Sequence, residues 1–152
     1  MDTVRILYLR DAADVYGSGL RYATEGSVGL DLRACFPEES VEILPGERFG
    51  VPSGICIEVT VPGVAGFVYS RSGLGAVRGL TVAQGVGVID PDYRGELVLW
   101  LLNTSGEPIS INRGDRVAQL VFQPFVRLNP VAADSLSSTS RGSGGFGHTG
   151  KR

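Results

Sequence analysis

Lysine is nearly absent from this 152-residue chain: all but one of its 14 basic residues are arginine, and the exception, Lys151, is next to last. Set against 16 acidic residues they leave a net charge of −2, which excludes the broad positive field of a nonspecific nucleic-acid binder. The arginines therefore have to be read one at a time. Cysteine is scarce too. Cys35 and Cys56 are too few for a disulfide framework and sit in apolar, β-like surroundings, so two small buried thiols in a reducing compartment are expected. No apolar run reaches membrane-spanning length, and Met1-Asp2-Thr3-Val4-Arg5 lacks the apolar stretch of a signal peptide. The expectation is a cytoplasmic protein without a membrane or nucleic-acid partner. In that compartment Asn103-Thr104-Ser105 is no glycosylation site and Arg113-Gly114-Asp115 no adhesion signal.

Long helices are also disfavoured, because 22 glycines are scattered along the chain. What remains is strand. In Ile55-Cys56-Ile57-Glu58-Val59-Thr60-Val61 branched residues fall on one face and polar ones mostly on the other, a period of two. Similar runs occupy Val4 to Leu9, Gly29 to Ala34, Ala65 to Tyr69, Leu97 to Leu102 and Val117 to Val126. Between them stand turn signals whose φ is fixed or positive: Pro45-Gly46, Pro52-Ser53-Gly54, Pro62-Gly63, Pro91-Asp92 and Asn112-Arg113-Gly114-Asp115. One short helix is expected across Ser72 to Val77. The length suits a single domain that withdraws roughly two-thirds of its unfolded surface from water. The pattern predicts an all-β sandwich or barrel over residues 1–133 and an arm over 134–152.

That arm ends in Arg141-Gly142-Ser143-Gly144-Gly145-Phe146-Gly147-His148-Thr149-Gly150-Lys151-Arg152. Composition alone fits a solvated tail. The same residues also carry what a nucleotide needs: glycine N–H groups that allow close approach, the Arg141 cation, and the Phe146 ring. Gly145 to Lys151 echoes a phosphate-binding P-loop, but Arg152 stands where Ser or Thr should meet magnesium, and no helix can follow. The P-loop reading is rejected.

Polar residues inside apolar sequence mark further candidates, since burying an unpartnered charge is costly. Asp31 lies in Val28-Gly29-Leu30-Asp31-Leu32, Asp90 follows Gly87-Val88-Ile89, and Gln119 sits in Val117-Ala118-Gln119-Leu120. Each one alone fits a hydrogen-bonded structural group, and Asp115 beside Gly114 fits a turn. In Ser70-Arg71-Ser72-Gly73-Leu74-Gly75 a cation, hydroxyls and two glycines meet, as in an anion nest or a plain capped turn. Taken together with Asp31, Asp90 and the arm, they point to a phosphate ester as substrate and a carboxylate as base.

Five motifs in order carry a resemblance over almost the whole chain. They are Gly29-Leu30-Asp31-Leu32-Arg33-Ala34, Arg71-Ser72-Gly73-Leu74-Gly75, Gly87-Val88-Ile89-Asp90-Pro91-Asp92-Tyr93-Arg94-Gly95-Glu96, Gly114-Asp115-Arg116-Val117-Ala118-Gln119-Leu120, and the glycine-rich end from Arg141 to Gly150. The sequence resembles the homotrimeric dUTPases, and its closing Gly-Phe-Gly-His resembles the bacterial branch. The resemblance implies a distorted jelly-roll β-barrel, a threefold trimer with active sites at subunit boundaries, and hydrolysis of dUTP to dUMP and pyrophosphate with Mg2+. It implies that Asp90 is the general base and that Arg71, Ser72 and Gly73 hold phosphate oxygens. Asp31 would meet the metal through water, because in this family the triphosphate itself chelates the ion. Tyr93 would lie against the deoxyribose, Phe146 and Gly147 over the base, Arg141 at the terminal phosphate, and Gln119 would brace the nucleotide-binding hairpin and the phosphate side. Uracil selection would come from the hairpin between Gln84 and Asp90, with Val88 and Ile89, and Val98 would complete the substrate-binding set.

Gln84 stands where many relatives of the resembling family carry Asn or another residue, and Pro91 should stiffen the turn that holds Asp90. Two rival readings fit the sequence less well. A dCTP deaminase of the same ancestral fold needs a glutamate roughly ten residues beyond the Asp90 turn, where this chain has Leu99-Trp100-Leu101. A non-catalytic trimeric β scaffold would give Arg71, Asp90, Tyr93 and Phe146 no reason to occur together.

Overall fold

A computed structural model describes residues 3–145. Phe146, Gly147, His148 and Lys151 lie outside the described residues. Eleven strands follow in chain order. They are β1 (Val4–Tyr8), β2 (Leu30–Arg33), β3 (Ser40–Ile43), β4 (Arg48–Pro52), β5 (Ile55–Val59), β6 (Val64–Ser70), β7 (Leu80–Val82), β8 (Gly87–Ile89), β9 (Val98–Asn103), β10 (Ile109–Asn112) and β11 (Arg116–Pro124). Among the described residues, a four-stranded antiparallel sheet runs β2-β11-β6-β8 and a three-stranded one runs β4-β9-β7, with β1-β5 and β10-β3 as separate pairs. The barrel is not closed, but this is the expected distorted jelly roll around one apolar interior.

Alternation explains the packing. Along β9, Leu99, Leu101 and Asn103 are buried while Val98 and Trp100 face outward. The Trp100 ring then lies so close to Gly50 that a Cβ there would stand 3.1 Å from Cζ2. Asn103 is a buried polar residue with all its capacity used: Nδ2 donates to the carbonyls of Ile43 (2.9 Å) and Glu107 (2.8 Å), and Oδ1 accepts from the N–H (2.9 Å) and hydroxyl (2.7 Å) of Ser105. An amide spent in this way offers no nitrogen to a glycan. Cys35 and Cys56 are free and buried, as expected, and burial pushes both thiols up.

Helix expectations need two corrections. The segment after Ser72 is a π-helical turn over Gly73–Arg78, closed by Gly79 at φ +75°. A second helix, α1 (Ala12–Tyr16), gave no periodic signal in five residues. It is held from outside. Ala12 is fully buried, and the Tyr16 hydroxyl donates to the Ser53 carbonyl (3.1 Å) while accepting from the Arg33 N–H (3.0 Å). That desolvated phenol is pushed up to about 12. Strands β3, β4, β7, β8 and β10 were also not anticipated, being three to five residues long and lacking a sustained period. The last strand stops at Pro124, short of Val126, and the described chain beyond it forms no strand.

Candidate active site

Most of the predicted site residues among the described ones fall into two groups on the four-stranded sheet. The first gathers at one end of β2, β11 and β6. Asp31 pairs across the sheet with Gln119, which pairs in turn with Tyr69. Asp31 takes a guanidinium on each oxygen, Arg71 Nε at 2.9 Å and Arg116 Nη1 at 3.1 Å. Gln119 Nε2 donates to the Ser70 carbonyl at 3.0 Å, and the Ser70 hydroxyl accepts from the Val82 N–H at 2.8 Å. Gly29 is required by proximity: a Cβ there would stand 2.5 Å from Gln119 Oε1. A cavity of about 500 Å³ opens over this cluster, lined by Gly29, Asp31, Arg71, Ser72, Gly73 and Gln119 among others. Five predicted residues thus meet in one place, at the start of the π-helical turn.

Asp90 belongs to the second group, at the far edge and far end of the same sheet. It follows Ile89, which pairs with Gly66 on β6, whereas the first group surrounds Ser70. Along the strands, four residues put the groups about 13 Å apart; across the sheet, β8 adjoins the β6 that leads into Arg71 and lies three spacings, about 14 Å, from the β2 that carries Asp31. Asp90 lines a separate groove of about 790 Å³ with Pro91, Asp92, the Val59 to Gly63 turn and Phe125 to Arg127. Its turn is held by backbone: Tyr93 N–H donates to the Asp90 carbonyl (3.0 Å), the Tyr93 hydroxyl to the Glu96 carbonyl (3.1 Å), and Arg94 Nη1 to the Pro91 carbonyl (2.7 Å). The Tyr93 ring covers Gly95 so closely that a Cβ there would meet its hydroxyl at 2.3 Å. Glu96 anchors the far end, accepting from the Gly54 N–H (2.7 Å) and Arg10 Nη1 (3.0 Å). The Arg10 hydrogen bonds hold its carboxyl below the usual range.

The hairpin before Asp90 turns at Gly85, with φ +82° and its N–H on the Val82 carbonyl (3.0 Å). Gln84 folds its amide over Gly87, within 3.4 Å of where a Cβ would stand. Val88 and Tyr93 are substantially exposed. Val98 lies on the outer face of the other sheet, opposite Pro52, and Ala83 N–H donates to the carbonyl of its neighbour Trp100 (2.8 Å). Arg141 sits in an exposed bend, its carbonyl accepting from Gly144 N–H (3.0 Å).

A protein-family model described as dUTPase matches residues 16–150. The chain belongs to the dUTPase family. It is 45% identical over 147 residues to a deoxyuridine 5'-triphosphate nucleotidohydrolase of Desulfitobacterium hafniense, covering 97% of this chain and 95% of that one. With a Haemophilus influenzae protein of the same name the identity is 47% over 131 residues, 86% of each chain. In fold it is similar to the Staphylococcus bacteriophage 80alpha dUTPase with dUPNHPP, at a TM-score of 0.83 and 21% identity over 99% of both chains. A dUTPase from phage phi11 of S. aureus superimposes at a TM-score of 0.75, covering 91% of this chain and 100% of that one at 21% identity. Another phi11 dUTPase structure describes the coordination of a structural Mg(II) ion.

The donor set here has little to offer a metal directly. Among the described residues no three His, Cys, Asp or Glu side chains are grouped to hold an ion, and both Asp31 oxygens are occupied by guanidinium groups. A carboxylate so engaged suits contact with a hydrated magnesium ion through water, as Mg2+ keeps several waters when phosphates chelate it. Two residues of the first group were missed as site residues. Arg116 and Arg78 stood in plain view, Arg116 inside a quoted motif, but nothing in their spacing tells a site arginine from a solvated one. Arg78 lines the same cavity as Arg71.

Proposed function

We propose that the chain hydrolyses dUTP to dUMP and pyrophosphate at sites shared between subunits of a homotrimer in the cytoplasm, removing dUTP and supplying dUMP for thymidylate synthesis. One observation carries the shared site. The base Asp90 and the phosphate cradle around Arg71 line separate cavities with no residue in common, so a water on one cannot reach a phosphate on the other within one chain. A rigid antiparallel sheet cannot bring its opposite ends together, and a second copy supplies the missing half.

In that site Asp90 orients a water and takes its proton as the oxygen attacks the α-phosphorus. The bond from that phosphorus to the bridging oxygen breaks, and pyrophosphate leaves with the electron pair. Arg71 and the backbone N–H groups of Ser72 and Gly73 stabilise charge on the phosphoryl oxygens. Asp31 would hold the hydration shell of a magnesium ion on the triphosphate, which would supply neutralisation of phosphate charge. Gln119 keeps the Ser70 end of the cradle in place. Tyr93, seated on Gly95, packs against the deoxyribose and excludes a 2′-hydroxyl. Residues 134–152 form the arm that closes a neighbour's site, Arg141 meeting the terminal phosphate and Phe146 with Gly147 covering uracil.

The hairpin of Gln84, Val88 and Ile89 reads the base, and Val98 completes the binding surface. Its hydrogen-bonding groups reject cytosine, a mismatch that such sites discriminate by about 10⁴-fold. Thymine is refused by packing alone, at about 1–3 kcal/mol for the extra methyl. The test is product analysis with dUTP, dCTP, dTTP and UTP in magnesium. Release of dUMP and pyrophosphate from dUTP alone is expected, and formation of dUTP from dCTP overturns the reading in favour of a deaminase. Size-exclusion with light scattering reads the trimer.

A further inference from the structure

We infer that Arg116 is a positioning residue: it locks the Asp31–Arg71 pair in the orientation that presents Arg71 to a phosphate. The inference rests on the dUTP-hydrolysing site proposed above and extends it to a residue with no role assigned there.

Arg116 acts twice on that pair. Its guanidinium Nη1 lies 3.1 Å from Asp31 Oδ2, and its carbonyl accepts a hydrogen bond from Arg71 Nη1 at 3.0 Å. Arg71 Nε completes the circuit on Asp31 Oδ1 at 2.9 Å. Three residues from three segments thus close a ring. Two of the three Arg71 nitrogens are committed to it, and Nη2, which has no partner among the described residues, is left for a ligand oxygen. A guanidinium gripped at Nε and Nη1 has a fixed plane. One held by a single carboxylate can swing about that contact.

A local break in β-pairing makes the double contact possible. Opposite β2, Arg116 pairs with Arg33 and Ala118 pairs with the next residue, Leu32, so Val117 is an extra residue in β11. In an unbroken strand Arg116 would share a face with Ala118, which is fully buried, and its side chain would enter the core. The bulge lets Val117 and Ala118 both face inward in succession while Arg116 turns out to Asp31.

Pyrophosphate release from dUTP and binding of inorganic pyrophosphate by calorimetry are measured for the wild type, Arg116→Gln, Asp31→Asn and the double variant, with thermal unfolding as a check on each. Arg116→Gln is expected to lower kcat and weaken pyrophosphate binding by roughly 10-fold or more, the scale of a misplaced contact group. In the Asp31→Asn background the same substitution is expected to cost less than about threefold, because its target is already gone. Arg116→Lys, which can reach one carboxylate oxygen, should recover most of the loss, and it replaces Arg116→Gln in the cycle if that variant does not fold. Losses that multiply in the double variant, a Lys variant no better than Gln, or an Arg116→Gln that lowers only the unfolding midpoint overturns the inference. A wild type inert towards dUTP sinks the proposed function instead, and the pyrophosphate arm still decides the role of Arg116.

Discussion

Around Asp31, three charged side chains hold one another, whereas around Asp90 the backbone does the holding and the carboxylate enters no ion pair among the described residues. Asp31, Arg71, Arg116 and Gln119 come from β2, β11 and the turn after β6, and each has a protein partner. Asp90 sits instead at the end of a three-residue strand, in a turn set by Pro91, Gly95 and the Tyr93 hydroxyl. The difference fits the two tasks proposed for them. A phosphate cradle has to be rigid and cationic before the ligand arrives, while a base has to keep its oxygens available for water.

Removing the base should break the comparison most sharply. Asp90→Asn keeps the size and the backbone turn, so turnover is expected to fall by about 10²–10⁴-fold while dUTP still binds. Near-normal pyrophosphate release from that variant would show that the carboxylate is not the base. Next comes the arm, which belongs to neither group within one chain. Deleting residues 141–152 should leave a folded trimer by light scattering and lower kcat/KM by about 100-fold. An active truncation returns the tail to solvent.

A smaller effect sharpens the rigid half. Gly29→Ala places a Cβ against Gln119, so the amide must leave the Ser70 carbonyl; a stability loss of about 1–3 kcal/mol in denaturant melts is expected, with weaker dUTP binding. The same substitution at Gly63, where nothing lies within 4 Å, meets only the strain of its φ of +72° and should spare dUTP binding.

The smallest effect concerns the anchor of the Asp90 turn. Glu96 is mostly buried but its partner Arg10 is half exposed, so Glu96→Gln should cost about 1 kcal/mol at neutral pH. Because the folded carboxyl lies below its ordinary value of 4.5, that contribution is whole above this pH and is lost as pH falls through the folded value. Acid titration of the unfolding midpoint should show wild type and variant converging there. A gap that persists at lower pH would mean that packing, not charge, is what Glu96 supplies.

Much of this was legible in the residues. Period-two runs located six of the strands, because their faces alternate between core and solvent, and the turn residues marked where they end. The members of the cradle were also legible, as polar groups embedded in apolar runs. The short strands were not, since β8 and β10 exist only through their partners on β6 and β3. Arg116 was equally invisible, because a bulge is a mismatch between two strands and leaves no mark on either one. Helix α1 depends on Tyr16 reaching Ser53, a contact 37 residues away along the chain.

By itself, then, the sequence determined the all-β class, the turn positions and the two buried thiols, which follow from local chemistry and spacing, and its five ordered motifs carried the resemblance to a nucleotide-handling family. Only the tertiary structure decided which of those residues stand together. It joined Asp31 to Arg71 and Arg116 and set Asp90 at the opposite corner of the same sheet. The physical reason is pairing: strand order and register are long-range properties, set by which hydrophobic faces meet and how their backbone hydrogen bonds close.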